Sequence, residues 1–255
     1  MAGPHDHHTL SRLQGSKNMT VRHRAKVLFE SMTGIRLFIR GLPHGIDASY
    51  DLAHRGIDLQ TIFDVGANVG QSALAMLETF PKAEIHCFEP VSSTFATLQR
   101  NLRGTRCRCI NSAVGNETGE ARISVGRNSL TNSLVNAREG DAFESVTVTT
   151  VDAYREERSL SSVDLLKIDV EGFDLNVLEG ASRSFSEDRI KFVSVEAGFC
   201  FDGAAHVSFQ RLREHLEGHG FSLFGFYHQT PSWGGHHSLL FADALFAHES
   251  TNRKR

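Results

Sequence analysis

Cysteine, proline, tryptophan and long apolar runs are all scarce in this chain. Its 255 residues include four cysteines, Cys87, Cys107, Cys109 and Cys200, and none of them forms a Cys-x-x-Cys pair. That pattern gives little support to a structural zinc site or a disulfide framework and suits reduced, buried thiols in a cytosolic compartment. No stretch approaches the ~18 to 20 consecutive apolar residues of a membrane-spanning helix. The polar, His-rich start lacks the apolar core of a signal peptide, so the expected location is the cytoplasm. Excess charge is also missing. A net charge of −3 leaves no electrostatic footprint for nucleic acid across the chain as a whole. What is present, 40% hydrophobic and 22% charged residues, is enough for one sizeable core.

The chain divides into a tail, a helical lead-in and a core. Residues 1–17, with Gly3-Pro4-His5-Asp6-His7-His8, read as a poorly ordered tail. Residues 18–58 read as an N-terminal helical segment. Within it, Arg22, Arg24, Lys26, Arg36 and Arg40 alternate with apolar residues over 21–40, as in a helix that packs on the core or touches a membrane surface peripherally. Residues 59–249 read as the catalytic domain. Strand-like runs at 61–65, 84–88, 107–111, 163–169 and 190–196 alternate with helical patterns at about 69–79, 92–102, 174–180 and 206–218. Such alternation implies a parallel sheet with helices on both faces. Two further runs, Phe221–Tyr227 and Ser238–Phe246, have no helix between them and therefore imply a terminal antiparallel hairpin. Ala121–Val125 and Val146–Val151 also alternate like strands and flank a long polar segment.

The most informative stretch is Asp64-Val65-Gly66-Ala67-Asn68-Val69-Gly70, which leaves the apolar run Thr61-Ile62-Phe63 and enters the helix-like Gln71–Leu77. Strand, Gly-rich turn and helix N-terminus in that order describe a nucleotide-cofactor site. Glu89 closes the next strand-like run and can accept hydrogen bonds from the hydroxyls of a ribose. A dinucleotide fingerprint requires glycine where Asn68 stands. A side chain there crowds a diphosphate, and Asp64 repels phosphate while attracting an ammonium group. Both features favour S-adenosylmethionine over a dinucleotide.

A second constellation is Leu166-Lys167-Ile168-Asp169-Val170-Glu171-Gly172. Ligands of doubly wound sheets lie beyond the carboxyl ends of the strands, and Asp169 and Glu171 fall at such an end. Either carboxylate can accept a proton, orient a substrate or, if a divalent cation is used, ligate it. The alternative is structural: Asp169 caps the helix near Asp174 or pairs with Lys167. Glu196 ends the next strand as a third acidic neighbour.

Together, Phe63–Gln71, Cys87-Phe88-Glu89-Pro90, Asn111-Ser112-Ala113-Val114-Gly115 and Leu166–Gly172 resemble the FkbM-type methyltransferase family, in family order and over about residues 60 to 247. The resemblance implies an α/β, Rossmann-like class I methyltransferase fold with a mostly parallel seven-stranded sheet and a terminal antiparallel hairpin. It also implies methyl transfer from S-adenosylmethionine, usually to a hydroxyl oxygen of a sugar, a glycan or a secondary metabolite. Carried onto this chain, Asp64, Gly66, Ala67, Asn68 and Gly70, with Asp169, would hold the methionine portion, Glu89 the ribose, and Ser112 and Ala113 the adenine.

An alcohol is a poor nucleophile until its proton begins to leave, so a general base is expected. Asp169 or Glu171 is the first candidate and His237 the second; its neighbour His236 lies in the same Gly-rich turn and is a candidate for acceptor contact, as is Glu196. Ser129, Thr131, Asn132 and Ser133, in the long polar segment, are candidates for covering the cofactor or recognising the acceptor. Two other readings compete: a nicotinamide-dependent oxidoreductase on the same sheet, and a catalytically silent cofactor-binding partner.

Overall fold

Apolar runs rich in β-branched and aromatic residues, broken by Gly, Pro and polar turns, become strands here with little adjustment. In chain order the first half holds α1 (Ala48–His54), β1 (Thr61–Val65), α2 (Gln71–Thr79), β2 (Glu84–Phe88), α3 (Ser92–Asn101), β3 (Cys107–Ile110), β4 (Ala113–Val114) and β5 (Gly119–Val125). The second half holds β6 (Ala142–Thr149), α4 (Val151–Glu157), β7 (Val163–Ile168), α5 (Asp174–Glu179), α6 (Ser182–Ser186), β8 (Ile190–Gly198), α7 (Phe209–Glu217), β9 (Phe221–Pro231) and β10 (Leu239–His248). This computed structural model describes residues 43–125, 142–199, 206–232 and 238–252. The N-terminal tail, the basic amphipathic segment, the polar segment with Ser129, Thr131, Asn132 and Ser133, and the turn with His236 and His237 lie outside the described residues.

The main sheet has the order β3-β2-β1-β7-β8-β10-β9. β3, β2, β1, β7 and β8 are mutually parallel, and β10 is antiparallel to β8 on one side and to β9 on the other. The terminal hairpin is therefore present, with its last strand inserted between β8 and β9. This is the Rossmann-like, class I methyltransferase arrangement. Strand order reverses between β1 and β7, which opens a crevice at the carboxyl ends of those strands.

Alternation along each strand feeds two cores. Ile62, Ile85, Leu165 and Phe192 face one side with Met76, Leu98 and Tyr227, while Phe63, Phe88, Leu166 and Val193 face the other with Tyr154, Leu178 and Leu212. Phe63 is fully buried, with its ring centroid 5.6 Å from that of Phe88 and 5.5 Å from that of Tyr154 in edge-on geometry. Burying such a side chain contributes roughly 2–3 kcal/mol. His86 joins this cluster through a 2.9 Å contact between Nδ1 and the Tyr154 hydroxyl. Burial drives its pKa down to about 4.

Polar ties fix the amino ends of the strands. Asp164 accepts from the backbone N–H groups of Gln60 (2.6 Å) and Thr61 (3.0 Å) and pairs with Lys191 at 2.6 Å. This carboxylate at the start of β7 is thus structural, whereas Asp169 lies just past the opposite end. Helix α1 starts at Asp47, whose side chain caps Tyr50 N–H, and is tied to β9 by a 2.8 Å hydrogen bond from the Tyr227 hydroxyl to Asp51.

One boundary departs from the sequence reading. The strand expected to run to Val151 ends at Thr149, because the Thr150 hydroxyl accepts from Ala153 N–H and starts helix α4 there. The strands β5 and β6, both expected as strand-like runs, lie outside the main sheet. With β4 they form a separate three-stranded sheet, β4-β6-β5, around a small core of Val91, Ala113, Ile123 and Val146.

Candidate functional site

Three turns meet in the crevice. The first leaves β1, and its backbone is folded into an unusual shape: Gly66 (φ 82°), Asn68 (φ 49°) and Gly70 (φ 91°) are all left-handed. Gly66 also needs its missing side chain, since a Cβ there would lie 2.0 Å from the backbone oxygen of Asp169. That absence lets the β1 turn rest directly on the β7 turn. Gly66 and Ala67 N–H both donate to the Phe88 carbonyl, Asn68 N–H donates to Glu89 Oε2 and Gly70 N–H to the Ala67 carbonyl. Four turn amides are thereby satisfied inside the protein and are not free to cradle a pyrophosphate.

The second turn follows β2. Glu89 is 6% exposed, and its carboxylate accepts from Asn68 N–H at 3.2 Å and Val91 N–H at 2.9 Å. Burial outweighs these two bonds and raises its pKa to about 7. Asn111 braces the same turn by donating to the carbonyls of Glu89 and Pro90. Ser112 and Ala113 flank this region, but the Ser112 hydroxyl already donates to the carbonyls of Ala113 and Thr147. The Ser112 proton is thereby engaged, which leaves backbone, or the hydroxyl as an acceptor, to meet a ligand. Glu144, not singled out from sequence, accepts from both the backbone and the hydroxyl of Ser92 at the start of α3, and its charge helps to raise Glu89.

The third turn follows β7. Glu171 (φ 49°) and Gly172 (φ 93°) bend the chain sharply into α5. Lys167 spans the two turns, with Nζ 3.2 Å from Asp64 Oδ1 and 3.3 Å from Asp169 Oδ2. Asp64 is fully buried, and among the described residues its Oδ2 has no donor. Burial raises the Asp64 pKa, and Lys167 opposes that shift. The same burial would lower Lys167, but the charges of Asp64, Asp169 and Asp243 outweigh it and raise its pKa. Asp169 caps no helix; its side chain pairs with Lys167, as the structural alternative held, and does so as one arm of a bridge that reaches Asp64 as well. The attraction of Asp64 for a ligand ammonium is correspondingly weaker than its sequence position alone suggests.

Glu196 lies beside this group on β8, opposite Asp243 of β10. Burial, then the charges of Asp169, Asp243 and Asp174, push its pKa to about 8. Burial and the Asp169 charge also raise Glu171. Two histidines that the sequence did not single out stand here: His206 Nδ1 is 2.8 Å from Glu196 Oε2, and His228 Nδ1 is 2.7 Å from Asp243 Oδ2. The crevice thus gathers Asp64, Gly66, Ala67, Asn68, Gly70, Glu89, Asp169, Glu171 and Glu196. Asp243 was legible in sequence only as the first residue of the closing Asp243-Ala244-Leu245-Phe246 motif, and His206 and His228 were not singled out at all. Among the described residues no three His, Cys, Asp or Glu side chains converge to hold a metal ion, and no helix is long and apolar enough to cross a membrane.

Several known proteins are similar to this chain in sequence. The chain is 30% identical over 158 residues to Methyltransferase 1 of Beauveria bassiana, covering 53% of this chain and 63% of that protein. It is 24% identical to the 2-O-methyltransferase NoeI of Sinorhizobium fredii, covering 56% of this chain and 65% of that one. The 31-O-demethyl-FK506 methyltransferase FkbM of Streptomyces tacrolimicus is 29% identical over 71% of this chain and 80% of its own length. Residues 64–223, which hold all three turns and both carboxylate motifs, match the methyltransferase FkbM domain, and the chain therefore belongs to the FkbM methyltransferase family.

Proposed function

We propose that this protein transfers a methyl group from S-adenosylmethionine to a hydroxyl oxygen of a sugar, a glycan or a secondary metabolite. The observation that carries the choice of donor is the β1 turn. Its amides at Gly66, Ala67, Asn68 and Gly70 are already bonded, and it presents carboxylates rather than phosphate-binding donors. A nicotinamide dinucleotide would find no backbone nest there. The buried, unpartnered oxygens Asp64 Oδ2 and Asn68 Oδ1 suit a ligand rich in donors, such as a methionine ammonium. Glu89 has two oxygens for a ribose diol, and backbone at Ser112 and Ala113 would border the adenine.

When bound, S-adenosylmethionine supplies an electrophilic methyl carbon attached to a good leaving group. The protein must then place an oxygen against that carbon and help its proton to leave. Asp169 and Glu171 lie at the crevice with carboxylates able to orient or accept from a hydroxyl. Support for oxygen as the acceptor atom comes from the relatives, two of which are named for O-methylation or O-demethylated substrates. The alignments cover 63% and 65% of the first two relatives, so the acceptor is proposed on chemistry as well as on likeness.

Calorimetric titration tests the donor. Micromolar binding of S-adenosylmethionine without binding of NAD is expected, and the reverse would overturn the proposal.

A further inference from the structure

The crevice contains two imidazole–carboxylate pairs, and their surroundings differ. His228 with Asp243 is 71% exposed, and the Asp243 carboxylate raises its pKa, which favours a cation in water. His206 with Glu196 is sheltered, its side chain 23% exposed against 19% for the carboxylate. We infer that His206, oriented by Glu196, is the general base that takes the proton from the acceptor hydroxyl. This inference rests on the methyl-transfer reading above.

The local fold holds His206 in place. Gly198, the last residue of β8, donates to the Val207 carbonyl at 2.9 Å and pairs with Ser208 in a parallel bridge, which folds the returning chain against the strand end. A Cβ on Gly198 would meet the His206 Cβ at 3.1 Å, so glycine permits the approach. The imidazole packs on Phe241 of β10, ring centroids 4.7 Å apart. Nδ1 lies 2.8 Å from Glu196 Oε2 but makes no aligned hydrogen bond among the described residues. The contact is short but not collinear with a ring N–H, as often in sites without substrate. Nε2 lies on the opposite side of the ring.

Charges around the pair suit a base. Lys167 of β7, Asp169 just past its end, Asp243 of β10 and Asp174 of α5 act on Glu196, and Asp169 also acts on His206. Burial disfavours the imidazolium and lowers the His206 pKa, while the Asp169 charge opposes that shift and would stabilise the cation formed as the hydroxyl proton arrives. In the step itself the acceptor oxygen forms a bond to the methyl carbon. The methyl–sulfur bond breaks with its electron pair going to sulfur, and the hydroxyl proton passes to Nε2 and then to solvent. Because the Glu196 pKa is pushed to about 8, its carboxylate form accumulates only as pH rises towards that value. In that form Nδ1–H faces the carboxylate and Nε2 is bare.

The first test needs no acceptor. Imidazole nitrogen NMR of the ¹⁵N-His-labelled protein at pH 9, with and without S-adenosylhomocysteine, is expected to show His206 protonated at Nδ1 and bare at Nε2. Glu196→Gln should shift that tautomer balance. A ring protonated at Nε2, or a cation persisting at pH 9, would overturn the inference. In methyl transfer to a responsive alcohol, His206→Asn should lower kcat about 10²- to 10⁴-fold while leaving S-adenosylmethionine affinity within twofold. It should also remove the rise of rate towards pH 8. Unchanged kcat with donor binding intact would refute the role of His206 alone, whereas failure of the wild type to bind the donor would refute the underlying reading.

Discussion

Glu89 provides a quantitative handle on the donor site. The residue is 6% exposed, and burial raises its pKa from the ordinary carboxylate range to about 7. A ribose diol donating two hydrogen bonds favours the ionised form, so donor binding must lower that pKa. The sign follows: affinity is full above pH 7 and falls as protons compete below it. With a free-state pKa of about 7, the dissociation constant should rise about tenfold between pH 8 and pH 6, and binding at pH 7 should release about half a proton. Calorimetry in two buffers of different ionisation enthalpy measures both quantities. Glu89→Gln should abolish the proton release and weaken binding by about 1.5–3 kcal/mol, the range for a hydrogen bond to a charged group. Binding that is independent of pH from 6 to 8, or proton release that persists in Glu89→Gln, would show that Glu89 does not hold the ribose.

Other substitutions test the supports of the site. Gly66→Ala places a Cβ 2.0 Å from the Asp169 carbonyl at φ 82° and should cost more than about 3 kcal/mol in denaturant unfolding; Gly70→Ala, whose Cβ meets only the Leu98 and Leu102 side chains at 3.0–3.1 Å, should cost less. Lys167→Met leaves the fully buried Asp64 without its cation and should destabilise the protein by about 3–5 kcal/mol at pH 8. That loss should shrink in acid as Asp64 is protonated, and a loss constant with pH would contradict the pairing. His86 is held neutral with a pKa of about 4 against an unfolded value near 6.5, so its stabilisation is complete above pH 6.5 and lost as pH falls through 4. Relative to His86→Asn, the wild type should lose about 3 kcal/mol between pH 7 and pH 4; parallel pH curves would refute this.

The sequence revealed the parts of the fold that local pattern determines. Apolar runs bounded by Gly and polar residues placed β1 and β2 to the residue, and the missing helix between Phe221 and Phe246 revealed the hairpin. The Thr150 cap was harder to read because Val146–Val151 is uniformly β-prone, and one side-chain hydrogen bond overrides that propensity. At the site, Asp64, Glu89 and Asp169 were legible because each ends an apolar run. Lys167 was visible only as a partner of Asp169, since its reach to Asp64 requires the β1–β7 register, which pairs residues about a hundred positions apart. Asp243 depends on the insertion of β10 beside β8, and His206 on the return of the chain to the end of β8 at the Gly198–Ser208 bridge, neither of which a local pattern announces.

The most direct test of the account is transfer of isotopically labelled methyl from S-adenosylmethionine to a panel of sugars, glycans and metabolite alcohols, with amines and thiols beside them, read by product mass and NMR. The account predicts an O-methyl product and an equal yield of S-adenosylhomocysteine. Label found only on nitrogen or sulfur would contradict it.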